Sequence, residues 1–554
     1  MSMKKMEKIV SVILLWTLLV WTNVVTVNAA DTEDFTATSA EEESYWYSRY
    51  NLWNLVMRSG MWERYKPDMD MIVMALKAVD SDFDKMEFMK GNDDYGDGDH
   101  PRPPVNPYLI KSVYKSGDPH YIKKFNPDDF ATQAWDQDKM DKTLTHEAFA
   151  YTIQKEVEWA KDFHWEEHFW KITDNFGSYW RFVGMMMNMN AKMQAKYAME
   201  NMDELEKNLT VKWHFAMLWA ISDLAWMMND DSFEANTTNR YQDKMSWSMF
   251  LKQADMMYEN WGMMNMIPST ITEYWVAIKS LVWYVKNTSS IINKKSALKD
   301  IVDYSNILST MKWNNAWEEA YRLAGLIEAY RVTWVNADVT KTASQNFLDS
   351  FDTKSMMFKN QNTYTIDEVW TIVGTLNEIK LFVVKDHEQV ENVFRDFFEN
   401  VVNKSWLIQS APPLMIAKSP WEYKGEPENH FRYPTVKVPP MAGWDFWIAP
   451  VFATEVSFEN WEWKVTDSNF DTAWSMHTSN EFIWLHNDEL NGFPKLYKFN
   501  SKDRKLLVKF QNIVAKLDSS NKKKLLKRIH ELYTKHTDNS RLVTILKKIE
   551  TYLK

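Results

Sequence analysis

From about residue 141 to 410, apolar residues recur at intervals of three and four, the spacing that gathers them on one face of an α-helix. This spacing predicts helices over 182–206, 211–228, 244–261, 270–286, 296–312, 316–333, 366–384 and 387–404. The clearest is 316–333, where Ala320, Leu323, Ala324, Ile327 and Tyr330 share a face. Thr270 before Ile271 and Thr365 before Ile366 stand where N-caps belong, because a hydroxyl there accepts from one of the first unpaired backbone N–H groups. Successive helices with short loops predict a mainly α body: a bundle, an α-solenoid or an α/α toroid. No repeat of fixed period chooses among them.

The pattern changes on both sides of this body. Residues 31–44 are acidic and polar, 45–90 carry helical spacing, and GNDDYGDGDHPRPPVNP (91–107) is a Gly/Asp/Pro linker. Its Asp-rich run fails the calcium-loop order, with Tyr95 where a ligand is needed. Residues 411–499 hold nine of the 17 prolines and a hairpin around 451–467, and this loop-rich region is the favoured place for a site. Beyond it, Leu507, Phe510, Val514 and Leu517 begin a basic three-helix unit. At the other end, Lys4, Lys5 and Lys8 precede an apolar run from Ile9 to Val20 and small residues at Ala29-Ala30. That order is a secretory signal cleaved after Ala29, the run being short for a membrane span. The rival is an uncleaved anchor over Ile9 to Val27. The chain therefore reads as a signal peptide (1–29), a leader with helices and linker (30–140), a helical body (141–410), a Pro-rich β-containing region (411–499) and a basic three-helix unit (500–554). Its expected location is extracellular or at the cell surface.

Charge adds an asymmetry. The formal net charge is −11, yet residues 501–554 carry 15 Lys/Arg against 5 Asp/Glu. An acidic body argues against nucleic acid as partner, since phosphate contacts need basic surface. Lys522, Lys523, Lys524, Lys527 and Arg528 offer an attachment face for anionic cell-wall polymer or a membrane surface; the bland alternative is a solvated lysine face. With no cysteine there are no disulfides, thiolate zinc sites, iron–sulfur clusters or covalent c-type haem.

Composition changes the picture most through tryptophan. The chain has 29 Trp and only 13 Gly, where ordinary usage of roughly 7% would give about 39 glycines. In VFATEVSFENWEWKVTDS two strand-like runs flank Asn460-Trp461, the place where a hairpin wants Asn-Gly. AGWDFWIAP (442–450), Trp334 in RVTWVNADVT, and Trp313 and Trp317, which flank the loop leading into the periodic helix, are further glycine-like places. In this the chain resembles an exported protein of a bacterium that reads the UGA codon as glycine, written here with tryptophan. Glycine at Trp16 and Trp21 would make the leader a poorer permanent anchor.

Few motifs carry chemistry. His164-Trp165-Glu166-Glu167-His168 has the H-x-x-E-H order of inverted zinc-peptidase motifs, with His164 and His168 as ligands of a divalent metal and Glu167 as base. Glycine at Trp165 would cost it helical register. His430, His477 and His486, with Asp445, Asp471 and Glu481, lie in the Pro-rich region and suit zinc or iron, or acid–base work. The 34 methionines, clustered as in 185–189 and 256–266, are core filler. No P-loop, dinucleotide fingerprint or nucleophile elbow is present. Two readings result: an exported envelope or extracellular protein with a binding or structural role, or a metal-dependent enzyme, such as a hydrolase.

Overall fold

In a computed structural model the described residues are 134–162, 174–201, 209–229, 241–261, 266–384, 387–405 and 453–481, with 59–65, 109–119 and scattered single positions. The signal segment, the H-x-x-E-H motif and most of the Pro-rich region and basic unit lie outside them. The described body is mainly α.

Its helices are α1 (His146–Asp162), α2 (Asp174–Glu200), α3 (Val211–Met227), α4 (Lys244–Trp261), α5 (Ile271–Asn287), α6 (Ile291–Thr310), α7 (Ala316–Thr333), α8 (Ala337–Asp349), α9 (Ile366–Phe382), α10 (Glu388–Phe397) and α11 (Thr472–Glu481). Packing sorts them into two rings. Each odd-numbered helix packs on the next odd one, from α1 to α11, and α11 packs back on α1, closing a ring of six. The even helices lie outside: α2 on α1, α4 on α3, α6 on α5 and α7, α8 on α7, α10 on α9. Of the three architectures open to the sequence, the contacts select the α/α toroid.

Burial explains the sorting. In α3 every residue from His214 to Met227 is buried, and α5 and α9 are nearly as enclosed. A helix covered all round belongs in an interior layer. The outer α4 buries a single stripe, Phe250, Leu251, Ala254 and Tyr258. Capping fixes direction. All six inner helices start under a side-chain cap: Thr145 accepts from Ala148, Thr210 from Trp213, Thr270 from Glu273, Asn315 from Glu318, Thr365 from Glu368, and Asp471 from Trp474. Thr270 and Thr365 form full capping boxes. Because one outer helix intervenes between successive inner ones, the inner helices run parallel, with their capped ends at one mouth of the bore.

Short strands frame that mouth. β3 (Ser116–Gly117) lies between β4 (Met140–Asp141) and β10 (Phe470–Asp471), which leads into α11. β7 (Thr363–Thr365), β8 (Glu455–Glu459) and β9 (Glu462–Asp467) form a second sheet over the start of α9, where Ile366 N–H donates to the Thr454 carbonyl at 2.9 Å. β1 (Trp62–Tyr65) pairs with β2 (Leu109–Val113), and β5 (Phe351–Asp352) with β6 (Met357–Phe358).

Two tryptophans have left-handed backbone. Trp334 caps the end of α7 at φ 67°, and Asn460 and Trp461 make the β8–β9 turn at φ 52° and 67°. Both indoles are exposed, each meeting a single ring, Tyr330 for Trp334 and Phe458 for Trp461. A side chain in this conformation costs about 1–2 kcal/mol, which glycine avoids.

Candidate active site at the capped mouth of the ring

The first turns of the inner helices bring charge together. Glu147 is the second residue of α1, Lys212 of α3 and Asp367 of α9, while Asp471 caps α11. Lys212 Nζ is 2.9 Å from Glu147 Oε1 and 4.0 Å from Asp367 Oδ2. Since α3 and α9 stand opposite each other in the ring, the Lys212–Asp367 contact spans the bore. Trp213 Nε1 donates to Glu147 Oε2 at 2.7 Å, and the Tyr321 hydroxyl of α7 donates to Asp367 Oδ2 at 2.6 Å. The other Asp367 oxygen, Oδ1, is buried without a hydrogen-bond partner, with His477 Nε2 3.9 Å away.

Six helix N-termini point their partial positive ends at this mouth, which suits carboxylates. Within it the groups diverge. Burial opposes the charge of Lys212, but Glu147 and then Asp367 outweigh it and hold its pKa well above that of an ordinary lysine. Asp471 goes the other way. Burial raises its pKa, the N-cap bond from Trp474 opposes, and the Glu147 and Asp367 carboxylates add to the rise, to about 7. Its proton is therefore held near neutrality beside a cluster that includes a lysine-bound carboxylate. Glu368 is also pushed to about 7, first by burial, yet its carboxylate is tied to Thr365 N–H at 3.0 Å in the capping box of α9. That is a structural task.

One helical turn deeper the bore is closed by rings. His477 of α11 is fully buried, 4.8 Å from the Tyr151 ring of α1 and 5.2 Å from the Trp275 ring of α5. Trp275 also meets Tyr321 at 4.7 Å and Trp219 at 6.3 Å. Beneath lie Lys279 and Glu378, 3.9 Å apart. At the far end Lys161 is fully buried and bonds Asp223 at 2.6 Å and Glu158 at 2.7 Å, with its ammonium over the Trp226 and Trp283 rings.

The sequence candidates divide accordingly. His477 and Asp471 come together at the site, on one short helix and its cap. His164, His168, Glu167, His430, His486, Asp445, Lys522, Lys524 and Arg528 lie outside the described residues. Lys523 and Lys527 are exposed on helix. Among the described residues no group of three or more His, Asp or Glu is placed to hold a metal ion, and no helix is long and apolar enough to cross a membrane. Glu147, Lys212 and Asp367 escaped sequence reading because an acid in a first turn is ordinary helix chemistry. The usable signal was its recurrence just after a capping threonine at both 145 and 365.

No protein-family model and no curated protein matches the chain. Two solved structures resemble it faintly. One is an endoglucanase from the termite Nasutitermes takasagoensis at pH 2.5, with 9% identity and a TM-score of 0.40 over 82% of this chain and 99% of that one. The other is the cellulase Cel9M of C. cellulolyticum, with 9% identity and a TM-score of 0.38 over 82% and 98%.

Proposed function

We propose that the protein is a hydrolase using paired carboxyl groups at the capped mouth of the ring, with glycosidic bonds as the bond class. Asp471 is the acid: it gives its proton to the leaving oxygen as the carbon–oxygen bond breaks. Asp367 is the base: its Oδ1 takes a proton from the attacking water, whose oxygen bonds to the same carbon. Acetal hydrolysis asks for this pairing, one carboxyl protonated and one ionised. Lys212 and Tyr321 hold Oδ2 and so fix which oxygen is free. The observation that carries the reading is the meeting of Asp367 with Lys212, Glu147 and Asp471 at one mouth, where Asp367 keeps Oδ1 without a hydrogen-bond partner and the neighbouring carboxylates help raise Asp471.

Export and attachment through the basic unit belong to the same proposal, since polymeric glycosides are met outside the cell. The test is release of reducing ends from a panel of polysaccharides by recombinant protein. Loss in both Asp367→Asn and Asp471→Asn, with fold retained, is the expected result. Unchanged release in either variant overturns the assignment of that residue. A purely binding role predicts no release from any polysaccharide.

A further inference from the structure

We infer that position 275 is glycine in the living protein and that its loss of the indole opens a ring-sized pocket for the substrate directly beneath Asp367. Three observations meet at this residue. The Trp275 side chain is 1% exposed, yet its Nε1 has no hydrogen-bond partner. A buried indole N–H usually finds an acceptor, and leaving one unmet is costly. Second, α5 and α7 approach closely at this point. Gly325 of α7 faces it, and a Cβ at 325 would lie 3.5 Å from the Trp275 Cα. Close crossings of helix backbones favour small residues on both sides. Third, the indole lies in the bore, between Trp219 of α3, Tyr321 of α7 and His477 of α11. Removing it leaves space inside the ring, because its neighbours Trp219, Tyr321 and His477 belong to three different inner helices, each fixed by its own packing.

The walls of that space are aromatic faces with polar groups set among them. The Lys279 ammonium lies 5.6 Å from the indole centroid, and Tyr321 and His477 carry polar atoms to the same place. Both also reach Asp367, so the pocket floor is continuous with the base. A dry cavity with apolar walls takes an apolar guest, whereas one with hydroxyl, imidazole and ammonium walls suits a polyhydroxylated ring. The pocket thus fixes the substrate class of the proposed site as a pyranoside that inserts one ring into the bore. It rests on the hydrolase reading only for that last step.

The test is binding, not turnover. Glucose and indole are titrated calorimetrically into the parent protein and into Trp275→Gly, each also carrying Asp367→Asn to silence chemistry. Glucose binding at least tenfold tighter to Trp275→Gly is the expected result. Binding of indole alone overturns the polar-ring assignment, and binding of neither overturns the pocket. Should Trp275→Gly fail to fold, Trp275→Ala takes its place with the same outcomes. Mass spectrometry of the native 271–279 peptide reads residue 275 directly, and tryptophan there overturns the inference. Glucose binding without any polysaccharide hydrolysis keeps the pocket and removes the hydrolase.

Discussion

The two ends of the bore use the same helices and opposite logic. At the capped mouth the charges are poorly matched. Asp367 keeps an unbonded oxygen, Asp471 holds its proton to about 7, and Lys212 is shared between two carboxylates. At the far end the Lys161 cluster is closely paired. Lys161 is clasped by Asp223 and Glu158 between the Trp226 and Trp283 indoles. Each end also answers the helix dipoles, with acids at the N-terminal mouth and cations at the C-terminal end. What separates them is completeness. A fully paired buried cluster holds elements in place, and an incompletely paired one is available for reaction.

Substitutions should separate the two ends. At the mouth, Asp367→Asn should lower hydrolysis by about 10²–10⁴-fold, the range typical of general acid–base groups, while thermal unfolding stays close to the parent. At the far end, Lys161→Met should do the reverse. Leaving Asp223 buried without its partner should cost about 3–5 kcal/mol, read as a lower denaturant midpoint, with turnover per folded molecule retained. Equal effects of both variants on both readouts would erase the distinction.

The pH dependence sharpens it further. The folded pKa of Asp471 lies above its unfolded value, so between about 4 and 7 the folded state binds more protons and stability falls as pH rises. In the proposed mechanism the same proton is the catalytic one, so activity should fall as pH rises through about 7. In Asp471→Asn part of the stability slope should disappear, the rest coming from other buried acids that shift the same way, Glu368, Asp223 and Glu156 among them. An unchanged slope would show that Asp471 is not held protonated. The smallest effect concerns neither end. Trp334→Gly and Trp461→Gly should each raise stability by about 1–2 kcal/mol in chemical denaturation, by relieving left-handed backbone. No gain at either position would count against the glycine reading there.

Much of the fold could be read from the chain. The periodic segments at 211–228, 244–261 and 316–333 match α3, α4 and α7 almost residue for residue, and Thr270 and Thr365 cap where their spacing placed them. The 387–404 segment is helical but widens at its end, passing into a π turn at Phe398–Asn403. Closure could not be read. Whether helices make a bundle, solenoid or ring depends on contact between α1 and α11, which no local pattern encodes. α11 is short and lacks a clear stripe, and it lies in a region that otherwise reads as proline-rich loop and hairpin. The site was missed for the same reason. Asp471 and His477 were in view as loop-region candidates, but Glu147, Lys212 and Asp367 become partners only once the ring has joined their first turns.

The cap of α11 has a temporal consequence. Asp471 is fixed by pairing β10 with β3, and the Thr472 hydroxyl donates to the Tyr114 carbonyl, a contact between positions 358 residues apart. The acid therefore comes from nearly the last piece of the described chain and is seated on nearly the first. A nascent or truncated polypeptide ending before residue 471 holds the base but no acid. Under the proposed mechanism such a polypeptide is inert, and the molecule becomes competent only when β10 has paired with β3.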